Sequence, residues 1–379
     1  MRELVIDLDA IAANLNRMRQ VAPNSKVCGV VKANAYGHGM IPVAKRLAAE
    51  GVDYLGVADL DEALELRAAG IEIPVLAWLH DWAEDFHAGV AANIDLGVSS
   101  MSQLERVMLA ADALGLCARV HIKVDTGLGR NGVTMAALGN LLEAAVAAET
   151  AGQIRVIGIF SHLSCTSRED DLAQIARFEQ ALAAAAAMGI RPELRHLTAS
   201  DGTLSYPQAH YDMVRVGVAL YGLSPYSDHS SQDYGLTPAM TATARVVQIK
   251  EVPAGEGVSY GYLYRTERQT KLALVPVGYA EGFPRLATGG AEVWVSGQRF
   301  RVASRIAMDQ FVIDVGDAPV NPGHTVVLFG DPAQGYPSAD QLAEAAQTIN
   351  YEIVTRMGGR FERSYVSGGH RYTAAEASA

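Results

Sequence analysis

A lysine closes the apolar run Val27 to Val31, and Lys32 at that strand end is placed to lose its charge more readily than a surface lysine. Desolvation disfavours an ammonium, and the neutral amine can attack an aldehyde to form a Schiff base. Other apolar runs end in polar residues too: Lys123 with Asp125 and Arg130, then His162, Ser200, and Arg215 with Gly217. Each has a plain structural reading beside the chemical one. His162 is equally readable as a satisfied core histidine, Arg215 as a salt-bridged residue and Ser200 as the cap of a helix after Ala199, while most lysines that follow a strand are simply solvated. Their common placement at strand ends favours one functional rim. Ser200-Asp201-Gly202-Thr203 and Gly217-Val218-Ala219 offer a small hydroxyl and backbone amides, which hold phosphate without a lysine.

The elements that must carry these residues are legible as alternating patterns. Strands are expected over 27–32, 54–58, 74–78, 94–98, 119–126, 156–162, 193–200 and 213–221, with amphipathic helices between them. Asp9 is placed to cap a helix running to about Ala22. Asp59 with Glu62 and Ser100 with Gln103 have capping-box spacing, and Gly70 and Gly115 stand at the matching helix ends. The alanine-rich stretches 133–151 and 168–188 read as helices. Eight buried strands separated by helices suit a (β/α)8 barrel, whose reacting groups sit at the C-terminal strand ends. An open doubly wound sheet would carry a glycine-rich phosphate loop after its first strand, where this chain has Lys32-Ala33-Asn34-Ala35.

Beyond Ser224 the pattern changes. Residues 225–235 read as a linker, followed by short strands at 239–251, 271–277, 291–295, 298–302, 310–315 and 325–329 and by one helix, 338–349. The division expected is a barrel over 9–226 and a mainly β domain made of 1–8 and 227–379, with a frayed end at 373–379.

Composition narrows the function. The 379 residues are 49% hydrophobic, enough for a real core, and the net charge of −11 argues against nucleic acid or an anionic membrane as partner. Cys28, Cys117 and Cys165 show no CxxC spacing, so neither a disulfide framework nor a metal site is expected. The acidic start (Glu3, Asp7, Asp9) lacks the core of a signal peptide, and no apolar run is long enough to cross a bilayer, so a cytoplasmic protein is expected.

The motifs, in order, are Val30-Val31-Lys32-Ala33-Asn34-Ala35-Tyr36-Gly37-His38-Gly39, Lys123-Val124-Asp125-Thr126-Gly127-Leu128-Gly129-Arg130, Phe160-Ser161-His162, Arg215-Val216-Gly217, Val258-Ser259-Tyr260-Gly261, Gly278-Tyr279-Ala280-Glu281-Gly282, Arg305-Ile306-Ala307-Met308-Asp309-Gln310 and Asn350-Tyr351-Glu352-Ile353. In content and order they resemble the alanine racemase family over nearly the whole chain. The resemblance implies a homodimeric enzyme dependent on pyridoxal 5′-phosphate (PLP) that interconverts L- and D-alanine, supplying D-alanine for peptidoglycan. It implies that Lys32 holds the cofactor and acts as acid and base on one face of the substrate carbon. Tyr260 of the partner subunit would act on the other. It further assigns Arg215 to the pyridine nitrogen, His162 to a hydrogen bond near Tyr260 and Arg215, and Tyr36, Ser200, Gly217 and Tyr351 to the phosphate. Arg130 and the Met308 backbone would take the substrate carboxylate, Tyr279 and Asp309 the entrance, and Lys123 the place of a lysine often carbamylated in the family. No metal is implied. A tyrosine of ordinary pKa near ~10 needs a cationic setting to act at neutral pH, which Arg215 and His162 are expected to supply.

The chain departs from the family's usual residues at Glu281 (more often Asp), Ala307 (more often Cys) and Ser304 (more often Gly). Without the resemblance, Tyr260 reads as an ordinary turn tyrosine. The rival functions are a PLP-dependent amino-acid decarboxylase, a racemase of broader specificity and a non-catalytic PLP-binding protein. Decarboxylases of this architecture resemble one another in a late cysteine, and no cysteine here lies beyond Cys165. Non-catalytic relatives generally lack the second domain.

Overall fold

The computed structural model describes residues 1–378. It divides into two compact units, one of residues 15–33 and 44–220, the other of 1–14, 34–43 and 221–379, of which Ala379 lies outside the described residues. The stretch 34–43 is thus grouped with the C-terminal part of the chain, where the sequence suggested an unbroken 9–226.

The first unit is a nearly closed parallel barrel. Its eight strands run in the order Met213–Val216, Lys26–Val30, Tyr54–Val57, Val75–Ala77, Asp95–Val98, Ala118–Asp125, Ile154–Phe160, Leu194–His196. The remaining seam is spanned by backbone bonds from Asp212 N to Arg195 O (3.1 Å) and from Arg215 N to Thr198 O (3.0 Å). Several of these strands are buried on both faces, Tyr54–Val57 and Asp95–Val98 completely. That is the reason they read as continuous apolar runs rather than as alternations.

The second unit is mainly β. A seven-stranded sheet carries Arg2–Asp7 between Met240–Arg245 (antiparallel) and Glu362–Ser367 (parallel), beside a three-stranded sheet of Gln248–Val252, Thr270–Val275 and Phe311–Gly316. Burial alternates along Met240–Arg245 and Phe311–Gly316, as it does in sheets with one covered face.

Several local expectations are corrected. The first helix, Leu8–Val21, is capped by Asp7, whose Oδ1 accepts from the amides of Asp9 and Ala10 at 2.9 Å; Asp9 instead accepts from the Ser367 hydroxyl and the Gly368 amide. Residues 133–151 begin as a two-residue strand, Val133–Thr134, and become helical only from Leu138 to Thr150. The strand expected over 213–221 stops at Val216 and turns into a 3-10 helix, Val218–Tyr221. The run 239–251 is two strands in two different sheets. The single late helix is two, Ala339–Ala345 and Asn350–Arg356. Where a frayed end was expected from 373, Thr373 closes the strand His370–Thr373 and a short helix follows, Ala374–Ser378, with the Glu376 carboxylate accepting from Thr373. Among the described residues, no helix is long and apolar enough to cross a membrane.

Candidate active site

Lys32 follows the strand Lys26–Val30 and opens a helical turn, Lys32–Tyr36, whose next four residues have φ of 51, 54, 53 and 52°. The turn is left-handed. For residues with a Cβ this handedness costs roughly 1–2 kcal/mol each, so outside contacts must hold it. Glu62 does so on the barrel unit, Oε1 accepting from Ala33 N (2.6 Å) and Oε2 from Ala58 N (2.8 Å). The Asn34 side chain accepts from Met40 N at 2.9 Å, and the neutral His38 ring donates to the Ala35 and Tyr36 carbonyls at 3.0 Å. Gly39, at φ 100°, leaves room for Tyr365: a Cβ there would lie 1.9 Å from the phenol oxygen. Strain held in this way is typical of functional sites.

Burial lowers the Lys32 pKa, and Arg130 lowers it further against the opposing pull of Glu62. Lys123 is lowered to about 8, by burial first and then by Arg215, Arg130 and Lys32. Asp125 shapes the loop before Arg130, its Oδ1 accepting from Gly127 N (2.9 Å) and Gly129 N (3.1 Å). Arg215 is buried, and burial brings it down to about 10, so it keeps its proton at neutral pH. Its guanidinium donates to the Ser161 carbonyl (2.7 Å), the Leu197 carbonyl (3.0 Å), His196 Nδ1 (3.1 Å) and His162 Nδ1 (3.2 Å). His162 lies far below the ordinary histidine range because of burial and then Arg215. It is therefore neutral, which corrects the expectation that it shares in a cationic setting with Arg215. Ser200 Oγ accepts from the amides of Gly217 (3.1 Å) and Ala219 (3.3 Å), so the two suspected phosphate segments are already tied together. Lys32, Lys123, Arg130, His162, Ser200, Arg215 and Gly217 thus all belong to the barrel unit.

The other sequence-derived residues form two groups on the second unit. Tyr36 packs against Tyr221 (ring centroids 4.9 Å) and Tyr351 (6.2 Å), and burial pushes its phenol up to about 12. Tyr260 is 69% exposed and lines a cleft of about 940 Å³ with Tyr279, Met308 and Asp309. The two walls of that cleft are joined: Tyr279 N donates to Ala307 O (3.1 Å) and Ala280 N to Met308 O (2.9 Å). Arg360 bridges the buried Glu281 carboxylate and Asp309. Among the described residues, no cluster of His, Cys, Asp and Glu suits a metal ion.

Sequence reasoning passed over Arg360 and a buried network of Asp95, His121 and His196 behind Arg215. The alternation His121, Lys123, Asp125 was a usable signal, because alternate residues of a strand share a face. Its partners lie on other strands, so the network could not be assembled from the sequence.

Fold and rim together define a barrel enzyme with an appended β domain and a cationic, partly desolvated cluster at the C-terminal strand ends. Residues 6–225 match the family model described as alanine racemase, N-terminal domain, and 239–365 the one described as alanine racemase, C-terminal domain. The chain is similar to the alanine racemase of Salinispora tropica (47% identity; 96% of this chain and 98% of the relative) and to that of Streptomyces coelicolor (46%; 96% and 95%). The crystal structure of alanine racemase from Streptomyces lavendulae superposes with TM-score 0.95 at 46% identity, covering 97% of each chain. The protein belongs to the alanine racemase family.

Proposed function

We propose that the protein interconverts L- and D-alanine, with PLP as cofactor, by two bases on opposite faces of the substrate Cα. The reading rests above all on Lys32, an amine whose charge is disfavoured by burial and by Arg130, standing on the same unit as a buried, charged Arg215. The donor set fits PLP. A neutral lysine amine suits the aldehyde, a hydroxyl with clustered backbone amides suits the phosphate, and a guanidinium, which donates and does not accept, suits an unprotonated ring nitrogen. When bound, PLP supplies the aldehyde and a conjugated ring that takes up the electrons of the Cα–H bond.

The chain's own residues then bind, orient and move protons. The Lys32 Nζ takes or returns a proton on one face of Cα. The Tyr260 Oη, contributed by the partner subunit of a homodimer, does so on the other. Arg215 keeps its proton and would donate to the pyridine nitrogen, leaving that nitrogen unprotonated, so the bound ring would be a moderate electron sink and protonation at the wrong carbon would be limited. Arg130 and the Met308 backbone hold the substrate carboxylate. Ser200, Gly217, Tyr36 and Tyr351 hold the phosphate, while Tyr279 and Asp309 border the entrance. The family resemblance supports a cytoplasmic role supplying D-alanine for peptidoglycan.

A chiral assay of the purified protein on a panel of L-amino acids, with and without added PLP, tests the reading. D-alanine formed at the highest rate of the panel is expected; its absence refutes the proposal. Two narrower outcomes follow. Ser200→Ala should weaken PLP binding by about tenfold, the scale of one charge-assisted hydrogen bond, and an unchanged Kd removes Ser200 from the phosphate site. At Lys123, a pKa lowered to about 8 means that the neutral amine accumulates as pH rises through that value. Carbon dioxide adds only to this form, so labelling by isotopic bicarbonate should rise from pH 7 to pH 9 and vanish in Lys123→Ala. No label at any pH refutes carbamylation.

A further inference from the structure

Behind Arg215 a row of buried side chains crosses the barrel interior. Arg215 Nη1 meets His196 Nδ1 at 3.1 Å, His196 Nε2 meets His121 Nδ1 at 2.9 Å, and His121 Nε2 meets Asp95 Oδ2 at 2.9 Å. Asp95, His121 and His196 are each 1% exposed or less. The far end is locked: Arg119 holds both Asp95 oxygens, and the Tyr54 hydroxyl donates to Oδ2 at 3.3 Å. Burial pushes the Asp95 pKa up, but His121 and Arg119 outweigh it and leave the carboxylate ionised.

These contacts leave one arrangement of protons. A guanidinium only donates, so His196 Nδ1 must accept, and the proton of the neutral ring sits on Nε2. That proton is donated to His121 Nδ1, which must be bare. His121 therefore carries its own proton on Nε2 and donates it to Asp95, which only accepts. Reversing either ring would set donor against donor at Arg215 or acceptor against acceptor at Asp95. The rings cannot easily turn to escape this. His196 lies flat on Phe160 (centroids 4.8 Å apart, planes 4° apart), and a Cβ at Gly158 would come within 2.2 Å of His121 Nδ1.

We propose that Asp95, His121 and His196 form a directed hydrogen-bond chain that holds Arg215 in place, with Asp95 and His121 as positioning residues for the reaction. A carboxylate at the first residue of strand Asp95–Val98 thereby keeps bare the His196 nitrogen that faces the guanidinium on strand Met213–Val216. Gly158 is part of the device, because a side chain there would displace the His121 ring. The kinetic side of this inference rests on the racemase reading above; the proton arrangement does not.

Neutron diffraction from deuterium-exchanged holoenzyme decides the arrangement. Deuterons on Nε2 of both His121 and His196, with both Nδ1 atoms bare, are expected. A deuteron on either Nδ1 overturns the chain, whether or not the protein racemises alanine. Kinetics decide the positioning role. His121→Leu, which can neither accept nor donate, should lower kcat by about tenfold or more while KM for alanine moves less than about twofold. His121→Gln, whose amide can do both, should recover most of the loss. Parental kcat in a folded His121→Leu protein, or an equal loss in both variants, overturns the role. Should His121→Leu not fold, Gly158→Ala replaces it: a fall in kcat at unchanged KM is expected, and parental kcat overturns the role. A parental protein without racemase activity would refute the functional reading alone, since the neutron result stands apart from it.

Discussion

Lys32→Ala should abolish racemisation, with a fall of at least about 10⁴-fold, because it removes both the amine that binds the cofactor and one of the two proton-transferring groups. Charge is not what the position requires. Burial and Arg130 both act to strip the Lys32 proton, and an attacking amine must be neutral. Lys32→Arg keeps a cation of similar reach that does not deprotonate, and it should be as inactive as the alanine variant. A small added amine such as methylamine should return part of the activity to Lys32→Ala and none to Lys32→Arg, whose side chain still fills the space. Racemisation by Lys32→Arg at the parental rate would remove Lys32 from the mechanism.

The second large effect is expected at Tyr260. Tyr260→Phe removes one oxygen from a side chain that is 69% exposed, so stability should hardly change. The racemisation rate should nevertheless fall by about 10²–10⁴-fold, the usual contribution of a positioned acid or base. The loss should be one-sided. In deuterated water, the enantiomer handled by Lys32 should still exchange its α-hydrogen, while exchange of the other should stop. Equal slowing of both exchanges would leave Tyr260 a binding residue and the second base unassigned. Mixing the two inactive proteins tests whether the tyrosine crosses between subunits. If it does, randomly formed twofold dimers of Lys32→Ala and Tyr260→Phe chains should recover about a quarter of the parental activity, from the one restored site in half of the dimers. If Tyr260 serves its own subunit, no site is restored.

The barrel was legible because its strands are buried on both faces and its helices carry caps, and both features leave marks in local sequence. Ser100 accepts from Gln103 N, and Gly115 ends the same helix at φ 64°, as that spacing suggested. Asp59 likewise accepts from Glu62 N, yet the Glu62 carboxylate turns to Ala58 and Ala33, next to Lys32. Its spacing is that of a cap; its use in bracing the lysine's turn depends on Ala33, 29 residues earlier in the chain. The second unit was read less well, since short strands follow one another closely and no local pattern says which sheet each joins. Residues 239–251 look like one strand and are two, and helix Asn350–Arg356 lies just beyond the 338–349 expected for a single late helix.

By itself, the order of residues determined the kinds of element, the rim on which Lys32, Lys123, His162, Ser200 and Arg215 stand, and the family. Strand periodicity and short motifs are local, and a chain cannot hide them. Tertiary structure alone decided the protonation states and the bracing: the lowered lysines, the neutral His162, the left-handed turn after Lys32 and the proton order from Asp95 to Arg215. Each arises from burial and from partners tens of residues away in the chain, and both exist only once the barrel has closed around them.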